Sequence, residues 1–253
     1  MSPPPQAGPY DDGFFSYTDR ISRSSAEAVV PVLQGLLPHV ASVADFGCAR
    51  GTWLAAWARA GVGDYQGVDG GYVAAESLLI PPGRFHACDL NGAIDLGRRF
   101  DMAYSFEVAE HLRPEASARF VDSLTRHADL VLFGASPPGQ GGLGHVNERD
   151  YGFWRGLFRE RGYAAFDPLR PLLRGRDEVA YWYRYNVLLY ANEKGAERLD
   201  PAVLGTRIDD GAPVPDVSPP LFRLRKAVVR RLPPVLCDGL ARLKARAVAG
   251  RPG

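Results

Sequence analysis

A glycine turn between two apolar stretches, followed by an acid, is the part of this chain best suited to chemistry. Residues 43–51 read Val-Ala-Asp-Phe-Gly-Cys-Ala-Arg-Gly, which predicts a buried strand, a tight turn at Gly47 and a helix after Gly51. Glycine adopts backbone angles closed to other residues and lets a ligand approach the main chain closely. Asp69 ends the next apolar stretch, and a carboxylate about 20 residues after such a turn typically accepts hydrogen bonds from ribose hydroxyls. The pattern predicts a site for an adenosine-containing cofactor.

Two acids and two histidines form a second group that could do chemistry. A helical turn after the fourth predicted strand would put Glu107 and Glu110 on one face, with His111 one turn from Glu107. Carboxylate and imidazole groups can hold a divalent ion such as Mg²⁺, and His145 would be a fourth ligand. In the alternative, which we favour, no metal is bound, the acids cap a helix and His111 packs against the fold.

His145 is also the first candidate for proton transfer. It lies in the glycine-rich loop Gly-Gln-Gly-Gly-Leu-Gly-His after the fifth predicted strand. A histidine with an unperturbed pKa of about 6.5 can take a proton from a hydroxyl or an amine. Glu107 is the second candidate. The alternative is a structural histidine that bonds to the backbone of the loop.

The elements that must position these residues alternate along the chain. Strands are predicted near 42–47, 64–69, 84–89, 100–106, 129–135, 163–167 and 185–192, and helices near 51–60, 72–79, 114–127 and 150–161. This alternation predicts an α/β fold: a Rossmann-like, doubly wound sheet of about seven mostly parallel strands, the last antiparallel, with helices on both faces. Ligands of such sheets bind at the carboxyl ends of the strands.

Composition divides the chain further. Residues 1–13 are predicted to be a flexible N-terminus, 14–192 the α/β domain with an N-terminal helical lid, 193–220 a linker and 221–253 a basic helical tail. Trp53 and Trp57 share one helix face and are predicted to be core.

Charge is concentrated at one end of the chain. Nine Arg or Lys and one acid lie within 221–253, although the net charge of all 253 residues is only +1. The body therefore lacks the positive excess needed to grip nucleic acid. For the tail we favour helices packed on the domain with a solvated basic face. An anionic partner, an anionic membrane surface and a second subunit are the alternatives.

No apolar run approaches the roughly 20 residues that span a bilayer, and the start of the chain lacks an export signal. The three cysteines form neither a disulfide framework nor a zinc spacing. We therefore expect a cytoplasmic protein with reduced thiols.

The glycine turn distinguishes between two adenosine cofactors. A dinucleotide site requires Gly-x-Gly-x-x-Gly, which this turn lacks. The turn instead resembles the first motif of the class I S-adenosylmethionine-dependent methyltransferases, acid-x-Gly-x-Gly-x-Gly. Asp45, Gly47 and Gly51 match it, and Ala49 replaces the middle glycine.

The resemblance extends over residues 14–192. Phe100–Leu112 looks like the family's fourth strand and its Glu-x-x-Glu-His-Leu continuation, and Pro138–Glu148 resembles a loop of a bacterial small-molecule subgroup, of the natural-product or sugar type. The resemblance implies that Asp69 holds the ribose and that Asp89 binds the adenine amine. The full set of cofactor-binding residues that it implies is Asp45, Gly47, Cys48, Gly51, Asp69, Gly70, Asp89, Leu90, Ser105 and Phe106.

The resemblance also implies an activity. We expect transfer of a methyl group from S-adenosylmethionine to a hydroxyl or amine of a small molecule, such as a secondary metabolite or sugar. The alternative is a protein of the same fold that binds or cyclises a small ligand without methyl transfer. A third possibility, suggested by the basic tail, is a modifier of surface glycans that docks on a membrane or a complex.

Overall fold

A seven-stranded sheet forms the centre of the molecule. The computed structural model describes residues 12–232 and residue 239, and their strands are β1 (Ser42–Phe46), β2 (Asp64–Asp69), β3 (Phe85–Ala87), β4 (Met102–Phe106), β5 (Leu130–Gly134), β6 (Ala164–Phe166) and β7 (Leu188–Ala191). Their order in the sheet is β3-β2-β1-β4-β5-β7-β6. Strands β1 to β5 are mutually parallel, and β7 runs antiparallel to both of its neighbours. The predicted doubly wound α/β fold, with an antiparallel last strand, is confirmed.

Helices cover both faces of this sheet. They are α1 (Asp12–Leu36), α2 (Thr52–Arg59), α3 (Ser117–His127), α4 (Tyr151–Arg159), α5 (Tyr181–Asn186), α6 (Glu193–Ala196), α7 (Pro201–Leu204) and α8 (Pro220–Val229). None of the helices within residues 12–232 is both long enough and apolar enough to cross a membrane.

Two apolar clusters lie on opposite faces of the sheet. In β1, Val43 belongs to one cluster and Ala44 to the other, as expected when successive side chains of a strand point in opposite directions. The first cluster contains the inner faces of α1 and α2, including the buried Trp53 and Trp57, whose predicted core position is confirmed. The second cluster contains the inner faces of α3 and α4.

The helix predicted over 72–79 is wrong. A single 3₁₀ turn, Ala75–Ser77, is the only helical part of that segment, and none of its residues is buried. Gly70 and Gly71 precede the segment and Pro81 and Pro82 follow it, so both ends carry residues that disfavour a helix. Without an apolar face to bury, the segment has no packing energy to offset these preferences.

The segment 193–220, predicted as a linker, lies against the domain. Beyond α6 and α7 the amide of Ile208 donates to the carbonyl of Ala165 (2.9 Å), and the amide of Asp167 donates to the carbonyl of Thr206 (3.1 Å). These bonds cover the outer edge of β6, where unpaired backbone groups would otherwise face solvent.

The ends of the chain are described in part. In the predicted basic helical tail, 221–253, α8 covers the first part, and residues 233–253 lie outside the described residues apart from residue 239. Of the predicted flexible segment 1–13, residues 12 and 13 belong to α1 and the others lie outside the described residues. Phe14, Phe15 and Tyr17, at the start of the predicted N-terminal helical lid, likewise have no described side chains.

Candidate functional site

The glycine turn connects β1 to α2, and every second residue from Gly47 to Gly51 has a positive φ. The φ angles are 92° at Gly47, 46° at Ala49 and 84° at Gly51. A Cβ at Gly47 would lie 2.2 Å from a methyl of Val108, so glycine is required there by space as well as by conformation. Ala49 occupies a left-handed conformation that costs a non-glycine residue roughly 1–2 kcal/mol.

Asp69 holds this turn from the end of β2. Its Oδ2 accepts a hydrogen bond from the amide of Ala49 (2.6 Å). Its Oδ1 accepts from the amide of Gly70 (2.6 Å) and the hydroxyl of Tyr72 (2.5 Å). Burial raises the pKa of Asp69, while these three donors oppose the rise. The acid that was predicted to hold a ribose thus also fixes the strained Ala49.

Asp45 and Cys48 lie beneath the turn. Burial, and then the nearby charge of Asp69, raises the pKa of Asp45 well above its usual value. Cys48 is also buried, and a Cβ at Gly67 of the adjacent strand would lie 2.6 Å from its sulfur. Gly67 therefore leaves the room that the thiol occupies.

The remaining predicted cofactor residues lie after β3 and at the end of β4. Asp89 is exposed and accepts from the backbone and side-chain nitrogens of Asn91 (2.9 Å each), whereas Leu90 is buried in the second cluster. In β4, Ser105 is buried, and Phe106 packs against Trp53 with ring centroids 4.8 Å apart. All the predicted cofactor residues thus lie along the carboxyl edge of strands β1 to β4.

One contact to the turn could not be predicted from the sequence. Arg50 forms an ion pair with Asp19 of α1, and its Nε donates to the carbonyl of Ser77 (2.7 Å). The hydroxyl of Thr52 also lies 3.5 Å from Asp19. The N-terminal helix is therefore tied directly to the turn.

Glu107 adopts an unusual backbone conformation at the end of β4, with φ at 55°. Its carboxylate accepts hydrogen bonds from Ser136 (3.0 Å), Gln140 (2.7 Å) and Asn186 (3.0 Å). Burial raises the pKa of Glu107, and these donors oppose that rise. Side chains from two segments, the loop after β5 and the end of α5, converge on this one carboxylate.

Glu110 lies deeper in the same network. Its Oε1 lies 2.9 Å from the hydroxyl of Ser136, and its Oε2 is buried with no hydrogen-bond partner among the described residues. Burial, and then the charge of Glu107, raises the pKa of Glu110 well above its usual value. Because Ser136 has one hydroxyl proton for two carboxyl groups, a proton on Glu110 satisfies the arrangement.

His145 forms a pair with Glu148. Its Nδ1 lies 2.9 Å from Oε1 of Glu148. The same carboxylate accepts from the amides of Gly139 (2.8 Å) and Gly141 (2.7 Å), so it also fixes the glycine-rich loop. A proton on Nδ1 that is donated to Glu148 leaves Nε2 free to accept another.

His111 packs edge-on against His145, with ring centroids 4.8 Å apart. Its Nδ1 donates to the carbonyl of Gly144 (3.3 Å). Although His111 is an exposed residue, the protein atoms around its ring, and then His145, lower its pKa to about 4. The ring is therefore neutral near pH 7 and can act as a metal ligand.

Three of the four predicted metal ligands come together. One ligand atom each from Glu110, His111 and His145 lie within 4.8 Å of one another. Glu107 is outside this group, and its carboxylate is hydrogen-bonded to Ser136, Gln140 and Asn186. The predicted helical turn is a 3₁₀ turn, Ala109–His111, which begins after Glu107 and directs the two acids differently.

The residues that surround Glu107 could not be identified from the sequence. Asn186 lies 79 residues away along the chain, and its Nδ2 also lies 2.9 Å from Oε1 of Gln140. Tyr151 donates in turn to Oδ1 of Asn186 (3.0 Å). In the sequence, the glycines around Gln140 indicated a functional loop, but they did not indicate that the side chain of Gln140 contacts Glu107.

Solved structures share the fold. The sugar N-methyltransferase KedS8 from Streptoalloteichus sp. ATCC 53650 aligns with a TM-score of 0.54 at 16% identity, over 76% of this chain and 98% of its own. DesVI from Streptomyces venezuelae aligns with a TM-score of 0.53 at 14% identity, over 72% of this chain and 96% of its own. CalS10, an amino pentose methyltransferase from Micromonospora echinaspora involved in calicheamicin biosynthesis, aligns with a TM-score of 0.51 at 16% identity. The alignment covers 74% of this chain and 99% of CalS10.

No family model matches the chain, and no curated protein matches it. Likeness at such low identity concerns the fold alone. The predicted resemblance is confirmed at that level: this chain has the Rossmann-like fold of the class I S-adenosylmethionine-dependent methyltransferases.

Proposed function

We propose that this protein transfers a methyl group from S-adenosylmethionine to a hydroxyl or amine of a small molecule. One observation carries the proposal: the turn held by Asp69 and the His145–Glu148 pair both follow carboxyl ends of strands in this sheet. In open α/β sheets this edge is where ligands bind. Donor-binding residues and a proton acceptor are thus available at the same edge.

The structural neighbours support a compact acceptor. Two of them are described as a sugar N-methyltransferase and an amino pentose methyltransferase. We therefore place amino sugars and hydroxylated natural products first among the acceptors to be tested. Identification of the methylated products will show whether the acceptor atom is oxygen or nitrogen.

In the proposed mechanism His145 is the general base. The acceptor oxygen or nitrogen attacks the methyl carbon of the sulfonium, the carbon–sulfur bond breaks, and the thioether S-adenosylhomocysteine leaves. Nε2 of His145 takes the proton lost by the acceptor, and Glu148, 2.9 Å from Nδ1, stabilises the imidazolium that results. Because the donor is already activated, alignment of the two reactants supplies much of the acceleration.

As an alternative to the base mechanism, the same group of residues fits a divalent metal ion, in which case Nε2 of His145 is a ligand and not the general base. The buried carboxyl of Glu110 and the imidazoles of His111 and His145 offer one ligand atom each within 4.8 Å of one another, and an ion bound there would displace the proton from Glu110. Each histidine donates its Nδ1 proton to an oxygen, as metal-bound histidines usually do. Two imidazoles suit Mn²⁺ or Zn²⁺ better than the Mg²⁺ suggested by the sequence. A bound ion would lower the pKa of an acceptor hydroxyl.

Calorimetry with Mn²⁺ and with Zn²⁺ tests this site without any measurement of activity. We expect the His111→Ala variant to lose metal binding in this measurement. In a separate activity assay, full methyl transfer after exhaustive chelation would show that the mechanism needs no metal.

The main proposal is tested with labelled S-adenosylmethionine and a panel of amino sugars and hydroxylated acceptors. We expect His145→Ala to lower turnover by about 10²–10⁴-fold, the usual contribution of a general base, while cofactor affinity stays unchanged. His39→Ala is the matched control, since His39 precedes β1 at the opposite edge of the sheet.

Cofactor binding with no S-adenosylhomocysteine formed from any acceptor would favour the alternative, a protein of this fold that binds or cyclises a ligand. Ala49, at the position of the family's middle glycine, is the feature that points toward it.

A further inference from the structure

Helix α8 is anchored to the domain by one face only. Phe222 packs against Tyr181 and Tyr185, with ring centroids 4.8 and 6.0 Å apart. Lys226 is buried and its Nζ lies 2.6 Å from Oδ2 of Asp216. Arg225 donates to the carbonyl of Gln140 (3.0 Å). These contacts fix the orientation of the helix against the glycine-rich loop.

The opposite face of α8 is apolar and exposed. The relative exposures are 79% for Leu221, 61% for Leu224 and 53% for Val228. At 3.6 residues per turn these positions lie on one side of the helix. They make up three of the seven exposed large hydrophobic residues within the described part of the chain, although α8 has only 10 residues. Such a concentration marks an interaction surface.

Cations flank this apolar stripe. Arg225 lies beside the stripe within α8, Arg223 is exposed further round the helix, and Arg230 and Arg231 are exposed directly after its last turn. No acid occurs between Leu221 and Leu232. An amphipathic helix with apolar and arginine-rich surfaces together is suited to an anionic lipid surface, where its apolar side chains enter the boundary region and its cations meet phosphates.

Two other occupants fit the charges less well. A symmetric contact with a second copy would bring identical clusters of arginine together, and like charges oppose association. The rest of the chain, residues 233–253, carries four cations and one acid, so it too repeats the charge of the helix.

We propose that α8 docks this protein on the surface of an anionic phospholipid bilayer through Leu221, Leu224 and Val228, with the neighbouring arginines contacting lipid phosphates. Helix α8 also lies directly on the glycine-rich loop, since a Cβ at Gly139 would come within 2.1 Å of the carbonyl oxygen of Lys226. Docking therefore brings the loop that carries His145 close to the lipid surface. The proposal is independent of methyl transfer.

The test is co-sedimentation of the full chain with vesicles, without cofactor. We expect binding to phosphatidylcholine vesicles that contain phosphatidylglycerol, no binding to phosphatidylcholine alone, and weakening as salt shortens the Debye length from about 10 Å at 0.1 M. Leu224→Gln with Val228→Gln should reduce partitioning at least about tenfold, because the apolar contact is lost while the charge is kept. Arg230→Gln with Arg231→Gln should weaken binding and flatten its salt dependence.

The matched control is Leu172→Gln with Leu204→Gln, which changes two leucines that are 51% and 39% exposed outside α8. We expect it to bind as the unsubstituted chain does. Absence of binding to anionic vesicles would overturn the proposal. Equal binding by the Leu224/Val228 variant would also overturn it, because binding would then depend on charge alone. A third contradicting result would be that the unsubstituted chain is a dimer without lipid and that this variant dissociates it.

Discussion

Two non-glycine residues at positive φ mark the two halves of the candidate site. Ala49, at 46°, lies in the turn, and Glu107, at 55°, lies at the end of β4. Such conformations cost of order 1–3 kcal/mol and persist only where surrounding contacts enforce them. For Ala49 that contact is Asp69, and for Glu107 it is the set of donors from Ser136, Gln140 and Asn186. Both strained residues are therefore held by polar contacts rather than by packing alone.

Asp69 should be the acid on which cofactor affinity depends most. We expect Asp69→Ala to weaken binding of S-adenosylmethionine at least about tenfold, because a hydrogen bond to a charged group contributes about 1.5–3 kcal/mol. The substitution also removes the acceptor for the amide of Ala49. Calorimetry measures the effect. Asp64→Ala, at the other end of β2 in a surface pair with Arg98, is the control and should bind normally. Equal affinity for both variants would contradict the assignment of Asp69.

Asp45 and Asp101 should give stability opposite dependences on pH. Burial raises the pKa of Asp45, so its contribution is fully present below the unfolded pKa of about 3.9 and is lost as pH rises through the higher folded value. Burial also disfavours the charge of Asp101, but hydrogen bonds from Arg198, the amide of Ala41 and Ser42 outweigh it and lower the pKa. Its contribution is present above the unfolded pKa and is lost as pH falls through the folded one.

Urea denaturation of the cofactor-free protein between about pH 2.5 and pH 8 distinguishes the two acids, because the contribution of Asp101 is lost only below its unfolded pKa of about 3.9. Relative to the unsubstituted chain, Asp45→Asn should become steadily more stable as pH rises. Asp101→Asn should be less stable at neutral pH and should recover toward low pH. If the stabilities of the two variants changed with pH in the same direction, burial would not raise the pKa of Asp45 in the folded protein.

At the scale of elements, the sequence predicted what depends on local pattern. Strands β1, β2, β4 and β5 were expected because apolar runs and turn residues are neighbours in sequence. The segment 72–79 was mistaken for a helix because it carries apolar residues, while its missing tertiary contacts cannot be seen in a sequence. The contact of Asn186 with Glu107 spans 79 residues, so it depends on β7 lying beside β5. The group around Glu110 was recognised, but the exact set of ligands depends on a 3₁₀ turn.

The contact between α8 and the glycine-rich loop leads to a prediction about two glycines. Gly139 and Gly61 both have positive φ, at 86° and 95°. A Cβ at Gly139 would meet the backbone of Lys226 at 2.1 Å, whereas no described atom lies within 4 Å of one at Gly61. Gly61→Ala should therefore cost only the backbone strain, about 1–2 kcal/mol.

Gly139→Ala should cost clearly more than Gly61→Ala, and it should also displace α8. Urea denaturation measures the first effect. Hydrogen exchange measures the second, since the amides of α8 should exchange faster in Gly139→Ala alone. Equal losses of stability with unchanged exchange would show that the loop and the helix separate without cost.

At the scale of the whole molecule, the sheet joins two apolar layers into one core. Leu33 of α1 belongs to the first cluster and Leu124 of α3 to the second, with exposures of 1% and 0%. Each should cost about 2–5 kcal/mol when replaced by alanine, because a buried leucine leaves a cavity. The two sites share no cluster, so the double variant should lose the sum of the single losses to within about 0.5 kcal/mol.

If the sheet makes the two layers one cooperative unit, all three variants should unfold in a single transition by circular dichroism and by tryptophan fluorescence. Trp57 reports on the first cluster and Trp154 on the second, so separate unfolding of one layer would split the fluorescence transition. Leu172→Ala, at a leucine that is 51% exposed, is the control and should change stability by less than about 0.5 kcal/mol. Two transitions in the Leu124→Ala variant would contradict a single core. Helix α1 would then be stabilised independently of the layer that contains α3 and α4.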